Sequence, residues 1–324
     1  MRLLVLGGTS WLGGAVAAEA VDRGWEVTCL ARGESGTVPP GATLVPSDRW
    51  KPGAYDGLPE FDAAVEVSWQ PELVRSALAA VAAAHWVYVS SISVYADSAD
   101  AASTELLPAW DGTGEAAIES YGGAKVACEE AFAAALDSSR YAVARAGLIG
   151  GYGDLSDRLG YWPARIDAVK GGRTDVLVPD PLSGPVQVID VLDLASWLVH
   201  CAEHRVSGTY DAVGPHSSLL EVLDASSAAT DTAPRYVVAG QEVLEAAGVR
   251  PWSGPESLPL WAPGLEGLMR RDPGPATAQG LVLRPVSDTV IAALRWEREQ
   301  GQGRPRRSGL SAEREAELLV MLSR

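Results

Sequence analysis

The chain has 324 residues, of which 47% are hydrophobic, enough to bury the core of one large domain or two. Its 42 acidic residues outnumber its 26 basic ones, and the resulting net charge of −16 repels nucleic-acid phosphates. No apolar stretch of the sequence reaches membrane-spanning length. We therefore expect no nucleic-acid and no membrane partner. The sparse cysteines Cys29, Cys128 and Cys201 favour free thiols and a cytoplasmic location.

The N-terminal segment predicts a β-α-β unit. Residues 2–6 form a short apolar run, residues 11–23 have helical spacing, and residues 26–31 form a second apolar run. A glycine-containing loop joins the first run to the helix, whose N-terminus offers free N–H groups and a positive dipole end that suit a pyrophosphate. We expect a dinucleotide site here, formed by Gly7, Thr9, Ser10, Trp11, Leu12 and Gly13.

A phenol and an ammonium group are four residues apart further along the chain. Tyr121 and Lys125 lie in residues 121–136, which are rich in Ala and Glu and predict a helix. At this spacing both side chains share one helix face. A free tyrosine titrates near pH ~10, and a nearby cation would move its pKa toward neutrality. The pair predicts a tuned acid–base catalyst, with a surface pair on an amphipathic helix as the alternative.

Several ordered motifs resemble the extended short-chain dehydrogenases/reductases, also described as NAD-dependent epimerases/dehydratases. The matching segments are residues 6–13, 89–95, 121–125, 145–150, 185–195 and 208–214. The resemblance implies that Tyr121 is the catalytic acid–base and also one of the cofactor-binding residues. It also implies that Lys125 lowers the pKa of Tyr121 and holds the nicotinamide ribose, and that Ser91, with Ser93 as the fallback, binds the reacting oxygen.

Two positions bear on the cofactor. Ser10 stands where the phosphate loop of the family usually has glycine, and its hydroxyl could donate to a phosphate oxygen. An NAD site normally has an acid at the end of the second strand, where this chain has Ala31 followed by Arg32. A guanidinium can pair with a 2′-phosphate, so we predict NADP(H), with NAD as the alternative. Asp48 is expected at the adenine edge.

The alternation of strands and helices predicts an α/β fold with a doubly wound parallel (Rossmann) sheet and a smaller C-terminal α/β region. Its ligand cleft should lie at the carboxyl ends of the strands, next to Ser68 and Ser91. We expect a dinucleotide-binding core in residues 1–150, with residues 185–215 returning to it. Residues 151–184 and 216–324 should bind the substrate. The loop of residues 95–119 is expected to form a flap beside the site.

The C-terminal half gives weaker signals. Arg158 and Arg173 could grip a phosphate if the substrate is a nucleotide sugar, although such arginines are commonly surface ion pairs. Trp69 and Trp162 are candidates for lining the pocket. The basic cluster of residues 304–307 is expected to be a solvated turn. No metal site is predicted, because the four histidines show no ligand pattern.

These observations favour an NADP(H)-dependent oxidoreductase that transfers a hydride to or from a carbonyl or secondary alcohol of a small-molecule substrate. The first alternative is a nucleotide-sugar epimerase or dehydratase with tightly bound NAD(P). The second is a non-catalytic NADP-binding regulator. A homodimer is left open, since relatives often pair next to the helix that carries the tyrosine and lysine.

Overall fold

The computed structural model describes residues 1–110, 112, 120–171, 174–301 and 303–322. The strands within these residues are β1 (Arg2–Leu6), β2 (Glu26–Ala31), β3 (Ala42–Pro46), β4 (Phe61–Glu66), β5 (Ala83–Ser91), β6 (Tyr141–Ala146), β7 (Leu148–Gly150), β8 (Asp175–Pro179), β9 (Pro185–Val186), β10 (Val188–Asp190), β11 (Gly208–Ala212), β12 (Ser217–Ser218), β13 (Arg235–Ala239), β14 (Arg250–Trp252) and β15 (Ser257–Pro259). The α-helices are α1 (Trp11–Asp22), α2 (Pro71–Ala80), α3 (Tyr121–Ala135), α4 (Tyr161–Asp167), α5 (Val191–His204), α6 (Leu219–Thr230), α7 (Gln241–Ala246), α8 (Gly274–Ala278), α9 (Val286–Gln300) and α10 (Ala312–Leu322).

Seven parallel strands form the central sheet in the order β11-β6-β5-β4-β1-β2-β3. Strand β1 lies in the middle and is apolar on both faces: Leu3 and Val5 belong to one core cluster, and Leu4 and Leu6 to the other. Helices α1 and α5 cover the first face, and helices α2 and α3 cover the second. Parallel strands need such two-sided cover, because their crossover helices lie on both faces. The predicted doubly wound α/β fold is confirmed.

A second core lies outside the central sheet. It is built around the two-stranded parallel sheet of β8 and β13 and includes side chains from α4, α6, α9 and α10. Trp162 is fully buried there, and its Nε1 donates to the carbonyl of Pro259 at 2.8 Å. The prediction that Trp162 lines a pocket is therefore wrong. The separation of the two cores supports the predicted domain division, which we keep as a proposal.

Some element boundaries differ from the sequence-based ones. The Ala-rich sequence of residues 71–84 predicts a single helix, but the helix ends at Ala80, because Val81 takes an extended conformation (φ −94°, ψ 123°) and the chain then enters β5 at Ala83. In the expected flap, the structure describes residues 95–110 and residue 112, and residues 111 and 113–119 lie outside the described residues. The described segment turns back on itself, because Tyr95 forms an antiparallel bridge with Leu106.

Three further observations concern the cysteines, metals and membranes. Cys29, Cys128 and Cys201 are all buried and free. Across the described residues, His, Cys, Asp and Glu side chains form no group of three or more that could hold a metal ion. No helix in the same part of the chain is long and apolar enough to cross a membrane.

Phe132 should contribute strongly to the stability of the core on the face of the central sheet that α3 covers. Its ring is fully buried and lies 4.9 Å from the ring of Tyr88 and 5.8 Å from that of Trp86, measured between centroids. We expect Phe132→Ala to lower the free energy of unfolding by about 3–5 kcal/mol, because it opens a cavity among aromatic rings. Chemical denaturation measures this loss. Val282→Ala, at a side chain that is 78% exposed, is the control and should change stability by less than about 0.5 kcal/mol. Equal losses for both variants would contradict this account of the core.

Candidate functional site

The loop between β1 and α1 is closed by its own hydrogen bonds. Gly7 has φ +93°, a conformation that disfavours any side chain, and a Cβ on Gly13 would lie 2.2 Å from the Gly7 carbonyl oxygen. The Ser10 hydroxyl donates to that carbonyl at 2.7 Å and accepts from the Gly13 N–H at 3.2 Å, which caps α1. Ser10 therefore replaces the usual glycine by completing the loop, and its hydroxyl is not aimed at a phosphate. The first-turn N–H groups of Trp11 and Leu12 have no partner within the helix.

Two cavities flank this loop at the carboxyl edge of the central sheet, and Ser10 lines both. The larger has a volume of about 610 Å³ and the smaller about 200 Å³. The larger cavity is lined by these predicted site residues: Ser10, Trp11, Leu12, Ser91, Ser93, Tyr121 and Lys125. The smaller is lined by Gly7, Thr9, Ser10, Arg32, Asp48 and Ser68. Gly13 lies inside α1, directly against Gly7. The structure thus brings the predicted residues together.

Lys125 is buried and holds three elements together. Its Nζ donates to the carbonyl of Ser68 at 3.0 Å and to the carbonyl of Val89 at 2.5 Å. It also lies 4.9 Å from the ring centroid of Tyr88 and 5.9 Å from that of Tyr121. Burial lowers the pKa of the Lys125 ammonium to about 8, since desolvation disfavours the charged form. The side chain is thus charged at neutral pH but close to its titration.

The pKa of the Tyr121 phenol differs from the predicted one. Burial raises the pKa of Tyr121 above its ordinary value, while a hydrogen bond with Ser91 and the charge of Arg158 act in the opposite direction without outweighing it. The net shift is thus upward, and the lowering of this pKa by Lys125, whose ammonium lies 5.9 Å from the ring centroid, stays a prediction. Ser91 itself caps a short 3₁₀ turn and donates to the Ser93 hydroxyl at 3.1 Å. At neutral pH Tyr121 is therefore protonated.

Aromatic side chains near Tyr121 fall into two groups. The ring of Trp69 lies 5.9 Å from the ring of Tyr121 without lining either cavity. Trp11 lines the larger cavity, and its Nε1 donates to the carbonyl of Tyr152 at 2.8 Å. Trp252 lines the same cavity from the C-terminal region. The indole groups of Trp11 and Trp252, rather than those predicted, thus form part of the wall.

Sequence reasoning missed a buried ion pair beside the smaller cavity. Arg49 binds Glu66 with both terminal nitrogens, at 2.5 and 3.1 Å, and also donates to the Ser68 hydroxyl at 2.8 Å and to the Leu73 carbonyl at 2.7 Å. Glu66 is fully buried at the end of β4 and accepts the Ser68 N–H at 2.8 Å. A carboxylate directly after the apolar run of residues 63–65 was the available signal. The pair fixes the wall on which Ser68 lies.

The cofactor argument from Arg32 also needs a correction. Arg32 and Asp48 both line the smaller cavity, but so does Glu34, whose carboxylate lies 3.2 Å from Nε of Arg32. The premise that no carboxylate lies near this guanidinium is wrong. Glu34 was missed because it is three residues beyond the strand end, where only folding of the loop returns it to Arg32.

The C-terminal region completes the larger cavity. Leu268, Met269 and Arg307 line it together with Arg158. The cluster of residues 304–307 is not the expected solvated turn, because Arg304 and Arg306 both bind the buried carboxylate of Glu297, the former at 2.9 Å and the latter at 2.7 Å. Arg173, the other predicted phosphate ligand, lies outside the described residues.

A chain of polar contacts connects α3 to this region. Glu129 of α3 pairs with Arg145 at 2.7 Å, and Arg145 donates to the Tyr95 hydroxyl at 3.0 Å. Tyr95 in turn donates to Asp211 at 2.6 Å, and Asp211 pairs with Arg271 at 2.7 Å. The helix that carries Tyr121 is therefore tied to the segment that carries Leu268 and Met269.

The residues present fit a dinucleotide. The loop backbone is kept open by Gly7 and Gly13, where a Cβ would clash, and it lies at the N-terminus of a twelve-residue helix. The two cavities on either side of the loop have room for the two halves of such a molecule. The sheet order, the β1–α1 loop and the placement of Tyr121 and Lys125 agree with the fold that the resemblance to the extended short-chain dehydrogenases/reductases implies.

Solved structures confirm this fold resemblance. UDP-N-acetylglucosamine 4-epimerase from Bacillus cereus is similar with a TM-score of 0.63 and 17% identity over 91% of this chain and 98% of that one. UDP-glucuronic acid 4-epimerase from Bacillus cereus, in complex with NAD, gives a TM-score of 0.65 and 12% identity over 93% and 99%. UDP-glucose 4-epimerase from Thermus thermophilus, in complex with NAD, gives 0.63 and 17% over 93% and 100%. No protein-family model and no curated protein matches. At these identities the likeness establishes the fold alone.

Two adjacent glycines at the start of α1, Gly13 and Gly14, should have opposite effects on stability when each is replaced by alanine. A Cβ on Gly13 meets the Gly7 carbonyl at 2.2 Å, whereas a Cβ on Gly14 meets only the Gly8 carbonyl at an ordinary 3.7 Å. We expect Gly13→Ala to destabilise the protein by roughly 1–3 kcal/mol, since the loop must move. Gly14→Ala should stabilise it by about 0.5–1 kcal/mol through helix propensity. Thermal or denaturant unfolding of both variants measures the difference, and a Gly13→Ala protein as stable as Gly14→Ala would refute the loop geometry.

Proposed function

We propose that this protein is an NADP(H)-dependent oxidoreductase that reduces a carbonyl or oxidises a secondary alcohol. The observation that carries the proposal is the convergence of the Ser91 and Tyr121 hydroxyls, next to Lys125 and the phosphate-type loop, on one cavity. A hydroxyl pair beside a nicotinamide site can bind one substrate oxygen and move its proton while a hydride moves on carbon.

The chain's own residues divide the chemistry as follows. A bound nicotinamide supplies or accepts the hydride. Ser91 donates a hydrogen bond to the substrate oxygen and orients it. Tyr121 donates its phenolic proton to that oxygen during reduction and takes it back during oxidation. Because burial keeps the pKa of Tyr121 high, the phenol is protonated at neutral pH and suits the direction of reduction. Lys125, charged at neutral pH, would hold the nicotinamide ribose hydroxyls.

The cofactor would lie across the β1–α1 loop. The N–H groups of the loop and of the first turn of α1 would bind the pyrophosphate. On this proposal the loop residues are Gly7, Thr9, Ser10, Trp11, Leu12 and Gly13. Arg32 would bind the 2′-phosphate at the mouth of the smaller cavity, and Asp48 and Ser68 would meet the adenosine half. Glu34 favours NAD(H) instead, because a carboxylate repels the 2′-phosphate and accepts ribose hydroxyls.

The second candidate function is nucleotide-sugar epimerisation with a tightly held cofactor. The observation in its favour is that solved structures with this fold include several UDP-sugar 4-epimerases, two of them in complex with NAD. An epimerase returns the hydride to the same substrate, so its cofactor stays bound through purification. Release of stoichiometric NAD(H) on denaturing the purified protein would favour the epimerase. Exchangeable NADPH would favour the reductase.

Tyr121→Phe tests the catalytic assignment. The purified protein should oxidise NADPH with at least one member of a panel of ketones and aldehydes, and Tyr121→Phe should lower kcat at least about 100-fold. Its Kd for NADPH should stay within about threefold of wild type, because phenylalanine keeps the ring and loses only the hydroxyl. Tyr210→Phe, at a tyrosine that lines neither cavity, is the matched control and should keep the activity. Tight NADPH binding with no turnover on the panel or on nucleotide sugars would instead indicate a regulator.

Arg32 and Glu34 form a matched pair for cofactor choice. Arg32→Ala should weaken NADPH binding roughly tenfold and leave NADH nearly unchanged, since it removes one charge-assisted contact to the 2′-phosphate. Glu34→Gln should strengthen NADPH binding by removing a competing carboxylate. Energy transfer from tryptophan to the reduced nicotinamide measures both affinities. Stronger NADH than NADPH binding by wild type, lost in Glu34→Gln, would assign the protein to NAD(H).

A further inference from the structure

Arg158 is a half-buried cation that lines the larger cavity together with Lys125 and Arg307. Its Nε donates to the Ser156 hydroxyl at 3.2 Å, and its guanidinium carbon lies 5.1 Å from the ring centroid of Trp252. Within the described part of the chain, no carboxylate lies within 4.0 Å of it and neither terminal nitrogen has a hydrogen-bond acceptor. The contacts therefore fix the orientation of the guanidinium and leave its two terminal N–H₂ groups for a ligand.

Three other arginines with little exposed side chain differ from Arg158, because each of them has a carboxylate partner. Arg49, Arg145 and Arg271 each bind a carboxylate at 2.5 to 2.7 Å. Asp154, the carboxylate nearest in sequence to Arg158, is instead bound by the N–H and hydroxyl of Ser156 at 2.7 and 2.9 Å. Burial lowers the pKa of Arg158, and the charge of Asp154, which lines the same cavity, acts in the opposite direction without outweighing it. A half-buried unpaired guanidinium in a protein of net charge −16 indicates a place for an external anion.

Trp252 covers the guanidinium of Arg158 and also packs against two hydrophobic clusters. Trp252, which covers the guanidinium, has φ +69°, a left-handed conformation that is unfavourable for a bulky side chain and that clusters at ligand sites. Its N–H donates to the Trp261 carbonyl at 2.7 Å, which holds it there. The charge of Arg158 also acts on the phenol of Tyr121, whose pKa it lowers against the effect of burial. Arg158, Tyr121 and Ser91 line the same cavity, so an anion on Arg158 shares that cavity with the oxygen that Tyr121 and Ser91 would bind.

We propose that Arg158 binds an anionic group, a carboxylate or a phosphate, that the substrate carries next to its reacting carbon. This inference rests on the proposed function for the identity of the reacting carbon, but the anion site itself does not depend on turnover. The substrate class is then a short keto acid or a phosphorylated ketone, or the corresponding hydroxy compound. In such a substrate the guanidinium holds the anion while Ser91 and Tyr121 hold the neighbouring oxygen.

Binding of the anion has a consequence for the phenol. In the free protein the positive charge of Arg158 stabilises the Tyr121 phenolate, and a bound anion cancels that effect. The pKa of Tyr121 therefore rises when the anion binds, and the phenol keeps the proton that it donates in reduction. An anion bound beside the reacting oxygen should therefore raise the pKa of Tyr121, whereas an anion bound at the cavity rim should not. The exposed Arg307 is the guanidinium that would bind an anion at the rim.

Calorimetric titration of the full chain with malonate, inorganic phosphate and pyrophosphate tests the site. Either malonate or phosphate should bind wild type, and Arg158→Gln should weaken that binding at least about tenfold. Arg307→Gln, the matched control, should change it less than about threefold. The better ligand of the two identifies the substrate anion as a carboxylate or a phosphate. Binding of pyrophosphate alone, lost in Arg307→Gln and kept in Arg158→Gln, would overturn the proposal in favour of a nucleotide diphosphate at the rim.

A spectroscopic pH titration supplies the second readout. The phenolate absorbance that is lost in Tyr121→Phe reports the pKa of Tyr121. That pKa should rise when the better anion is added to wild type and stay constant in Arg158→Gln, with chloride at equal ionic strength as the control. Circular dichroism confirms that the variants are folded. An equal shift in wild type and Arg158→Gln would refute the proposal. Because neither measurement involves turnover, failure of the anion site is distinguishable from failure of the oxidoreductase proposal.

Discussion

The site depends on one buried ammonium group. Lys125 donates to the carbonyls of Ser68, which follows β4, and Val89, which lies in β5, so a single cation joins two strand ends to α3. Those carbonyls end up at the carboxyl edge of the sheet, where backbone acceptors have lost their strand partners. The ammonium supplies the missing donors, and in doing so it sets the position of α3 and of Tyr121 one turn earlier. The same ammonium lies 5.9 Å from the ring centroid of Tyr121.

Much of the fold followed from the sequence. Residues 2–6 and 26–31 are strands as predicted, and the parallel order follows from the alternation of strands and helices. The sequence predicted the ends of helices and strands less well than their existence. Pro71 begins α2 as a good first helical residue, but the Ala-rich run that follows has no signal for the switch to extended backbone at Val81. That switch is imposed by the sheet, because β5 must begin at Ala83 to pair with Phe61 of β4.

The candidate site was predictable only where topology determines it. Residues such as Ser68, Ser91 and Tyr121 come to one edge because parallel strands share the direction of their carboxyl ends. Arg158 and Trp252 lie 94 positions apart, the difference between their residue numbers, and meet only through the fold of the smaller core. The pKa of Tyr121 likewise depends on how deeply the finished structure buries the phenol. Spacing along a helix predicts proximity, but it does not predict desolvation.

The chain of contacts from Glu129 through Arg145, Tyr95 and Asp211 to Arg271 has a mechanical meaning. Arg271 also donates to the carbonyls of Ala101 and Ser103, so one guanidinium clasps the loop after β5 as well. The helix under the site, that loop and the segment next to residues 268–269 are thus joined by one network of charged and polar contacts. Because its charges are largely removed from water, loss of any one member would leave its neighbours unpaired, which is costly in a protein interior. The network therefore makes the geometry of the site depend on residues that do not line the cavity, such as Glu129 and Asp211.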